Sequence, residues 1–487
     1  MSILSIDAGT TGVTVLVVNE HGEIKSRGYS EFEQHFPKPG WVEHDPEQIW
    51  QATIRATRQA LTSSENIQAI GITNQRETLV FWNHQDLTAP RRAIVWQDRR
   101  TAEIVEELKP HNNLIQAKTG TSLDPYFTST KLVWVQRNEP ELWQRVVAGE
   151  VAIGTVDTYL VARLTGGKSF ITDASNASRT QLCNIETAEW DKELLALFNV
   201  PKAALPKIVA NYGNLAETDP HVFLGITAPI TGMAGDQQAA LFGQAAFDFG
   251  DSKCTYGTGA FLLVNTGNQR VASQQGLIST IAWRSPSGEI TYALEGSVFV
   301  AGSAVQWLRD GLKIIKQSKD VETLAKEVVD SAGVVFVPAL TGLGAPWWNP
   351  SVRGSLFGIT RGTTDAHIAR ATLDAVAFQV SDLIDAMSHD LGRPLESLSV
   401  DGGMSENNLL MQMQADCTGL SITRATQLES TGLGAAFLAG IGVGLFQDLT
   451  SISELKQEGT SFSPQTSEVT SRDLWKKAVV AASSLAD

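Results

Sequence analysis

The chain opens on two short runs of apolar, mostly β-branched residues, at positions 2–7 and 13–18, with small residues between them. This pattern predicts a β-hairpin whose turn is formed by residues 8–12. Most turns of this kind bind nothing. The alternative is a phosphate-binding turn, in which flexible glycines expose successive N–H groups and Thr10 and Thr11 add hydroxyl donors. Asp7, at the end of the first strand, could then hold Mg²⁺ through water.

A second hairpin of the same kind is predicted near the middle of the chain. The runs Lys253-Cys-Thr-Tyr256 and Ala260-Phe-Leu-Leu-Val-Asn265 flank Gly257-Thr258-Gly259. Two such hairpins, one near the start of each half, suggest a duplicated architecture. A nucleotide would then lie between the two halves.

Between the hairpins, strand and helix patterns alternate, which indicates α/β layers. Asp45 and Gln48 form a capping-box pattern with Pro46 at the first helical position, and they predict a helix to about residue 61. Residues 67–73 read as a strand, and residues 78–82 with 93–96 as a further hairpin. Residues 156–164 predict another helix.

Arg76 and Glu77 come almost directly after the predicted strand 67–73. They could form an exposed ion pair, which would contribute little. However, ligands of open α/β sheets gather at the carboxyl ends of strands. An Arg that donates and a Glu that accepts would suit the hydroxyls of a polyol, provided the chain leaves the strand here so that both can face one ligand. Trp96 and Phe261 are either core residues or an aromatic wall for a small carbon skeleton.

Asp236 stands at the midpoint of the chain, after an apolar run that ends in Gly235 and before a run of good helix formers. As a helix cap, its carboxylate would accept from free backbone N–H groups. As a catalytic base, it would be kept ionised by the same positive helix end, and the neighbouring glycines would let a ligand approach. These two roles remain open on this stretch alone.

The second half carries three further patterns. The run Glu295-Gly-Ser-Val-Phe-Val-Ala-Gly302 leads into a helix that carries Gln306, and residues 338–350 are too rich in turn formers for regular structure. Residues 398–400 form a strand-like run, which Gly402 and Gly403 separate from a predicted helix at 409–417. This is either a simple β–α turn or a second nucleotide contact. Residues 432–442 predict a close-packing helix.

Composition narrows the class of protein. The chain has 487 residues, enough for two or more domains. Its net charge of −15 argues against nucleic acid or an anionic membrane as a partner. No signal-peptide pattern is present at the N-terminus, and no stretch reads as a membrane span. The three cysteines are far apart, so we expect reduced thiols and a cytoplasmic location.

Ten motifs in chain order resemble the glycerol kinase branch of the FGGY carbohydrate kinase family. They are Asp7-Ala-Gly-Thr-Thr11, Pro37-Lys-Pro-Gly-Trp-Val-Glu-His-Asp-Pro46, Asn74-Gln-Arg-Glu77, Trp96-Gln-Asp-Arg-Arg100, Asp124-Pro-Tyr126, Ala177-Ser-Arg-Thr180, Gly235-Asp-Gln-Gln-Ala-Ala-Leu-Phe-Gly-Gln244, Tyr256-Gly-Thr-Gly259, Thr341-Gly-Leu-Gly-Ala-Pro346 and Asp401-Gly-Gly403. The resemblance covers nearly the whole chain.

The resemblance implies an α/β fold of two actin-like, ribonuclease-H-like domains, residues 1–245 and 246–487, with a nucleotide cleft between them. It implies ATP-dependent phosphorylation of glycerol to glycerol 3-phosphate, with Asp236 as general base, Mg²⁺ at Asp7, and assembly as a homodimer or homotetramer. The residues implied to hold glycerol are Arg76, Glu77, Tyr126, Asp236 and Gln237, with Trp96 and Phe261 against its carbons. Those implied to contact the nucleotide are Thr10, Thr11, Gly12, Thr258, Gly302, Gln306, Gly403 and Asn407.

One departure from the family pattern concerns the nucleotide. Thr14 stands where an Arg that reaches the phosphates is usual, so we expect somewhat weaker binding of ATP. Two alternatives to a kinase acting on glycerol are a family member acting on another polyol or a ketose such as xylulose, and an actin- or chaperone-like ATPase. The clamp of Arg76 and Glu77 with Tyr126 argues against the ATPase, which has no need to bind a polyol.

Overall fold

The computed structural model describes residues 2–61, 66–457, 459–465 and 472–485. In the first half of the chain the described strands are β1 (Ser2–Ala8), β2 (Gly12–Asn19), β3 (Ile24–Glu31), β4 (Gln34–His35), β5 (Glu43–His44), β6 (Ile67–Asn74), β7 (Val80–Asn83), β8 (Ala93–Ile94), β9 (Val151–Gly154), β10 (Ile171–Asp173), β11 (Cys183–Asn184), β12 (Glu189–Trp190), β13 (Lys207–Val209), β14 (Tyr212–Glu217) and β15 (Pro229–Gly235). The described α-helices there are α1 (Pro46–Ala60), α2 (Ala102–Leu108), α3 (Asn112–Thr119), α4 (Thr128–Asn138), α5 (Pro140–Val147), α6 (Val156–Leu164), α7 (Ala174–Ser178), α8 (Lys192–Leu197) and α9 (Asp236–Gly243).

The second half continues this alternation. Its described strands are β16 (Ser252–Tyr256), β17 (Ala260–Gly267), β18 (Ile278–Arg284), β19 (Ile290–Val298), β20 (Val335–Val337), β21 (Ser355–Phe357), β22 (Ser397–Asp401), β23 (Ser421–Arg424) and β24 (Thr460–Phe462). Its described α-helices are α10 (Gly302–Asp310), α11 (Asp320–Ala325), α12 (Asp365–Leu391), α13 (Asn408–Thr418), α14 (Ser430–Gly442), α15 (Leu449–Ser453) and α16 (Arg472–Ser484). Short 3₁₀ turns lie at Lys109–His111, Lys202–Ala204 and Gly403–Glu406.

Each half is built on one large sheet, and the two sheets share a core topology. The first runs β14-β15-β6-β1-β2-β3 and the second β18-β19-β17-β16-β22-β23-β24. In each, an antiparallel hairpin (β1–β2 or β16–β17) is extended on one side by a third antiparallel strand and on the other by two parallel strands. The shared order confirms the α/β fold and the duplication that the two hairpins predicted.

The hairpins themselves form as the apolar runs predicted. In the first, Asp7 pairs with Thr14 and Ala8 with Val13, which leaves residues 9–11 as the turn. Gly12 begins β2 beneath the ring of Tyr29, where an added Cβ would lie 2.8 Å from the Tyr29 hydroxyl oxygen. A larger residue at position 12 would therefore displace Tyr29 or the turn.

Helix α14, the glycine-rich run predicted to pack closely, does so against the sheet of the other half. An added Cβ on Gly71 of β6 would lie 2.1 Å from the carbonyl oxygen of Ala435, so backbone meets backbone at this crossing. Ser5 of β1 donates a hydrogen bond to the Gly432 carbonyl at 2.6 Å. Helix α1 covers the opposite face of the same sheet. The first sheet is therefore buried on both faces, one of them by a helix from the second half.

Two local predictions are wrong. Residues 78–82 and 93–96 do not form a hairpin: β7 pairs with β9, β8 pairs with β5, and only Leu79 and Ile94 bridge the two runs. Both runs are buried on all sides, so each can pair with a strand that is distant in the chain instead of with its neighbour. The capping box at Asp45 is only half formed. Asp45 does accept from Glu47 N–H, but Gln48 accepts from the backbone of Glu33 instead.

No helix within the described ranges is long and apolar enough to cross a membrane.

Candidate active site

Three parallel strands of the first sheet end side by side and bring the first candidate residues together. Ala8 of β1 is in register with Asn74 of β6, and Asn74 with Gly235 of β15. The segments that leave these strands therefore lie at one edge: the hairpin turn after β1, Arg76 after β6 and Asp236 after β15. This is the edge of an open α/β sheet at which ligands bind.

Arg76 is the centre of this edge and is buried, with 2% of its surface exposed. Its Nε lies 2.9 Å from Asp236 Oδ1. Its two terminal nitrogens contact Glu295 of β19 at 2.5 and 3.0 Å in a bidentate pair. The alternative of an exposed ion pair at this position is thus wrong, and Arg76 joins the sheets of both halves.

Glu77 turns away from its strand and faces the same cluster. Its φ of 59° lies in the left-handed region, which is uncommon for a residue with a side chain and reflects a sharp change of direction. Its carboxylate accepts from Arg179 Nε at 2.6 Å, and Arg179 also contacts Glu295 at 3.0 Å. The chain therefore leaves the strand at Glu77. This is the condition under which Arg76 and Glu77 can face one ligand.

The buried cluster contains two guanidinium groups, from Arg76 and Arg179, and three carboxylates. Burial on its own would raise the pKa of Glu295, but Arg179 and Arg76 outweigh it and lower that pKa to about 2. At Glu77 burial prevails over the same two arginines and raises the pKa. Glu295 is accordingly a fixed negative charge, whereas Glu77 is the carboxylate whose charge is less well compensated by the protein.

Asp236 is the first residue of α9 and the most accessible member of the cluster, with 27% of its side chain exposed. Gly235 occupies the cap position, so Asp236 does not cap in the strict sense. Its Oδ1 accepts from the backbone N–H of Gln237 at 2.7 Å as well as facing Arg76. Among the described residues Oδ2 has no hydrogen-bond partner. One oxygen is anchored and the other is available to a ligand.

An aromatic group bridges the two halves beside this carboxylate. The ring of Trp96 lies 5.7 Å from that of Tyr126 and 6.2 Å from that of Phe261, both edge-on. Trp96 Nε1 donates to Thr10 Oγ1 at 2.9 Å, and the Tyr126 hydroxyl accepts from Arg76 at 3.3 Å. These rings connect the charged cluster with the turn of the first hairpin.

A cavity of about 380 Å³ lies in the second half, at the turn of the second hairpin. Five of the predicted nucleotide contacts line it: Thr258, Gly302, Gln306, Gly403 and Asn407. At Gly302 an added Cβ would lie 2.5 Å from the Gly257 carbonyl oxygen, so the hairpin turn and α10 touch through backbone. Thr10, Thr11 and Gly12 are not part of this cavity and lie at the turn of the first hairpin.

Asp7 lies near the end of β1, beside the turn of the first hairpin. Burial raises the pKa of its carboxyl, and the nearby negative charge of Asp236 raises it further. Its carboxylate has no hydrogen-bond partner in the described part of the chain. A buried carboxylate close to a second negative charge fits a bound Mg²⁺. Since no three potential ligand side chains converge anywhere in the described ranges, such an ion would take its other ligands from water and substrate.

Three buried charged residues whose side chains contact those of predicted site residues were not themselves predicted: Arg179, Lys253 and Glu295. Lys253 of β16 donates to Gln237 Oε1 at 2.5 Å. Each had a signal, since Glu295 and Lys253 are charged residues within otherwise uncharged strands and Arg179 falls in a recognised motif. A charge inside a buried strand needs a partner, and that requirement indicates a site.

The comparison with protein-family models identifies both halves. The N-terminal domain of the FGGY family of carbohydrate kinases matches residues 2–243, and the C-terminal domain of that family matches residues 252–443.

Curated relatives are similar over nearly the whole chain. The glycerol kinase of Bdellovibrio bacteriovorus is 51% identical over 466 residues, which are 94% of each chain. The glycerol kinase of Deinococcus radiodurans is 50% identical over 491 residues, covering 99% of this chain and 97% of the relative.

Solved structures share the fold. The crystal structure of Plasmodium falciparum glycerol kinase with ADP has a TM-score of 0.90 and 39% identity, covering 99% of this chain and 98% of that one. A gluconate kinase from Lactobacillus acidophilus reaches a TM-score of 0.87 at 24% identity, covering 100% of this chain and 98% of that one, a likeness of fold alone.

Proposed function

Because the chain belongs to the FGGY family of carbohydrate kinases, we propose that it transfers the γ-phosphoryl group of ATP to a terminal hydroxyl of glycerol. The products are glycerol 3-phosphate and ADP. The observation that carries the proposal is the contact between Arg76 and Asp236, which puts one anchored and one available carboxylate oxygen beside a polar cluster suited to a small polyol.

Glycerol lies in this proposal against Arg76, Glu77, Tyr126, Asp236 and Gln237. Arginine and amide groups donate to its hydroxyl oxygens, while the carboxylates accept from its hydroxyl hydrogens. Trp96 and Phe261 contact its carbons. A site whose buried polar groups need hydroxyl partners discriminates strongly against analogues that lack them.

In the transfer step the terminal hydroxyl oxygen of glycerol forms a bond to the γ-phosphorus as the bond from that phosphorus to the bridging oxygen of ADP breaks. The hydroxyl proton passes to Asp236 Oδ2, while Arg76 and the N-terminus of α9 hold the other oxygen. Because phosphoryl transfer has a loose transition state, positioning and neutralisation of charge carry most of the catalysis.

The nucleotide is proposed to span the two hairpins. The cavity at Thr258, Gly302, Gln306, Gly403 and Asn407 is large enough for a nucleoside. Its phosphates would extend to the turn at Thr10, Thr11 and Gly12. Mg²⁺ at Asp7, when bound, would neutralise charge on the phosphate oxygens.

Location in the cytoplasm and assembly as a homodimer or homotetramer belong to the same proposal. The three cysteines are buried and unpaired, which supports a reducing compartment. Sedimentation or light scattering of the purified protein would test the assembly.

The test of function is ADP release from MgATP with glycerol, with xylulose and with no acceptor. We expect glycerol to stimulate ADP release by orders of magnitude over the acceptor-free rate, and far more than xylulose. Preference for xylulose would instead indicate another acceptor in the same family. Release that is independent of any acceptor would overturn the proposal in favour of an ATPase.

A further inference from the structure

Lys253 is a fully buried cation that the proposed transfer step does not use. Side chains alternate along β16: Cys254 and Tyr256 pack into the core of the second half, so Lys253 and Thr255 point to the other face. That face meets the first turn of α9, the helix that begins with Asp236. Lys253 therefore connects the second hairpin with the acceptor side of the site.

The contacts of Lys253 determine how Gln237 is oriented. Its ammonium donates to Gln237 Oε1 at 2.5 Å and to Thr255 Oγ1 at 3.0 Å. An ammonium can donate but cannot accept, so it selects the oxygen of the amide and turns the NH₂ group away. Within the described part of the chain, Gln237 Nε2 has no hydrogen-bond partner. Although only 6% of Gln237 is exposed, Nε2 is not one of its buried atoms, so this donor is accessible to a ligand.

The adjacent Asp236 indicates the kind of group that Gln237 Nε2 would bind. Gln237 N–H donates to Asp236 Oδ1, so the two side chains leave the same helical turn. A carboxylate that accepts and an amide that donates are complementary to one alcohol group, which donates its hydrogen and accepts at its oxygen. With the amide reversed, two acceptors would stand together and the alcohol oxygen would lose its donor.

We propose that Lys253 is a positioning residue of the acceptor site, which holds the amide of Gln237 with its NH₂ group toward the acceptor alcohol. This inference rests on the proposed function. Burial lowers the pKa of Lys253, an effect that the charge of Asp401 opposes. Even a neutral amine would still donate to the amide oxygen.

The test is a comparison of Michaelis constants. In Lys253→Met the amide is free to rotate, so we expect the KM for glycerol to rise about five- to tenfold, the size of one lost hydrogen bond. The KM for ATP should stay within about twofold, because the phosphate contacts do not involve Gln237. A general loosening of the second hairpin would raise the KM for ATP instead, and that result would overturn the inference.

A double-mutant cycle separates action through Gln237 from any other role. Gln237→Ala should raise the KM for glycerol by itself, and Lys253→Met in that background should add less than about twofold. Independent, additive effects would overturn the inference.

Gln237→Glu keeps Lys253 in place. It therefore tests the inference even if Lys253→Met fails to fold. The new carboxylate pairs with Lys253 and offers a second oxygen where the NH₂ group was, so we expect glycerol binding to weaken at least as much as in Gln237→Ala. Normal binding would show that no donor is needed there. Absence of any glycerol-dependent ADP release from the wild type would overturn the proposed function together with this inference, whereas an unchanged KM for glycerol in Lys253→Met would overturn the inference alone.

Discussion

Arg76 Nε and Asp236 Oδ1 lie 2.9 Å apart although 160 positions separate them in the chain. They meet because β6 and β15 are neighbouring parallel strands that end at the same level. Of the two roles considered, strict capping of α9 falls to Gly235, and the role of base stays a prediction for Asp236. Its anchored oxygen belongs to the first turn of α9, and its available oxygen faces the site.

Asp236→Asn should keep the binding of glycerol and lose turnover. The amide oxygen can still accept from the Gln237 N–H beside Arg76, but the side chain cannot take the hydroxyl proton. We expect kcat to fall by about 10²–10⁴ with little change in the KM for glycerol. Asp45→Asn, a substitution at a helix cap that asparagine serves equally well, is the control. Near-normal turnover by Asp236→Asn would refute its role as base.

Glu295→Gln should destabilise the fold strongly, because it leaves Arg76 and Arg179 without their shared charge partner. Breaking a buried pair of this kind costs about 3–5 kcal/mol. Chemical denaturation measures the effect. Glu107→Gln removes a carboxylate from the exposed pair with Arg137 and should cost about 0–1 kcal/mol. Equal effects of the two substitutions would contradict the role given to the buried cluster.

Gly302→Ala should weaken ATP binding without affecting glycerol. Its Cβ would lie 2.5 Å from the Gly257 carbonyl oxygen, so the hairpin turn at the nucleotide cavity must shift. We expect the KM for ATP to rise about tenfold, equivalent to about 1.4 kcal/mol. Gly362→Ala, whose Cβ meets nothing closer than 3.9 Å, is the control. An unchanged KM for ATP would mean that the nucleotide does not depend on this turn.

Thr14→Arg should strengthen ATP binding. Thr14 pairs with Asp7 across β1 and β2, so both side chains lie on one face of the sheet beside the first hairpin turn. A guanidinium there adds a positive charge near the phosphates, and we expect the KM for ATP to fall about fivefold, or about 1 kcal/mol. Thr14→Gln, which adds length without charge, should leave it unchanged. An equal KM for ATP in the two variants would contradict the prediction that a positive charge at this position strengthens ATP binding.

Lys131 should make the folded state more stable as pH rises. Burial lowers the pKa of Lys131 from 10.5 to about 7. Between about pH 7 and 9 the unfolded chain therefore binds a proton that the folded chain does not, and stability increases with pH. Over this range the free energy of unfolding of the wild type should therefore rise relative to that of Lys131→Met. Lys109→Met, at an exposed lysine, is the control, and a pH-independent difference for Lys131→Met would contradict the prediction.

Local features were predictable from the sequence and long-range ones were not. The hairpin at Asp7 and Thr14 and the helix that starts at Pro46 depend on apolar alternation, turn residues and a cap, all within a few positions. The failed hairpin at residues 78–96 shows the limit, since a run buried on all sides matches several partners equally well. The family resemblance, more than any pattern, brought Tyr126 and Gln237 into the site.

The partners within the site could not be predicted, because they depend on how the two sheets face each other. Glu295 meets Arg76 across 219 positions of chain, and Arg179 across 116. A charged residue in an apolar strand indicates that a partner exists, but the strand pattern does not identify it. The same holds for Lys253, whose partner Gln237 lies on the other half.

The packing of α14 on the first sheet has a consequence for synthesis of the protein. Leu16 and Val18 of β2 form one apolar face together with Leu433 and Phe437 of α14. The helix leaves the ribosome roughly 200 residues after β15 is complete, which at about 5–20 residues per second takes about 10–40 s. During this interval the nascent first half exposes a face that sticks to other apolar surfaces. The core on this face of the first sheet is therefore completed only after residue 442 has emerged.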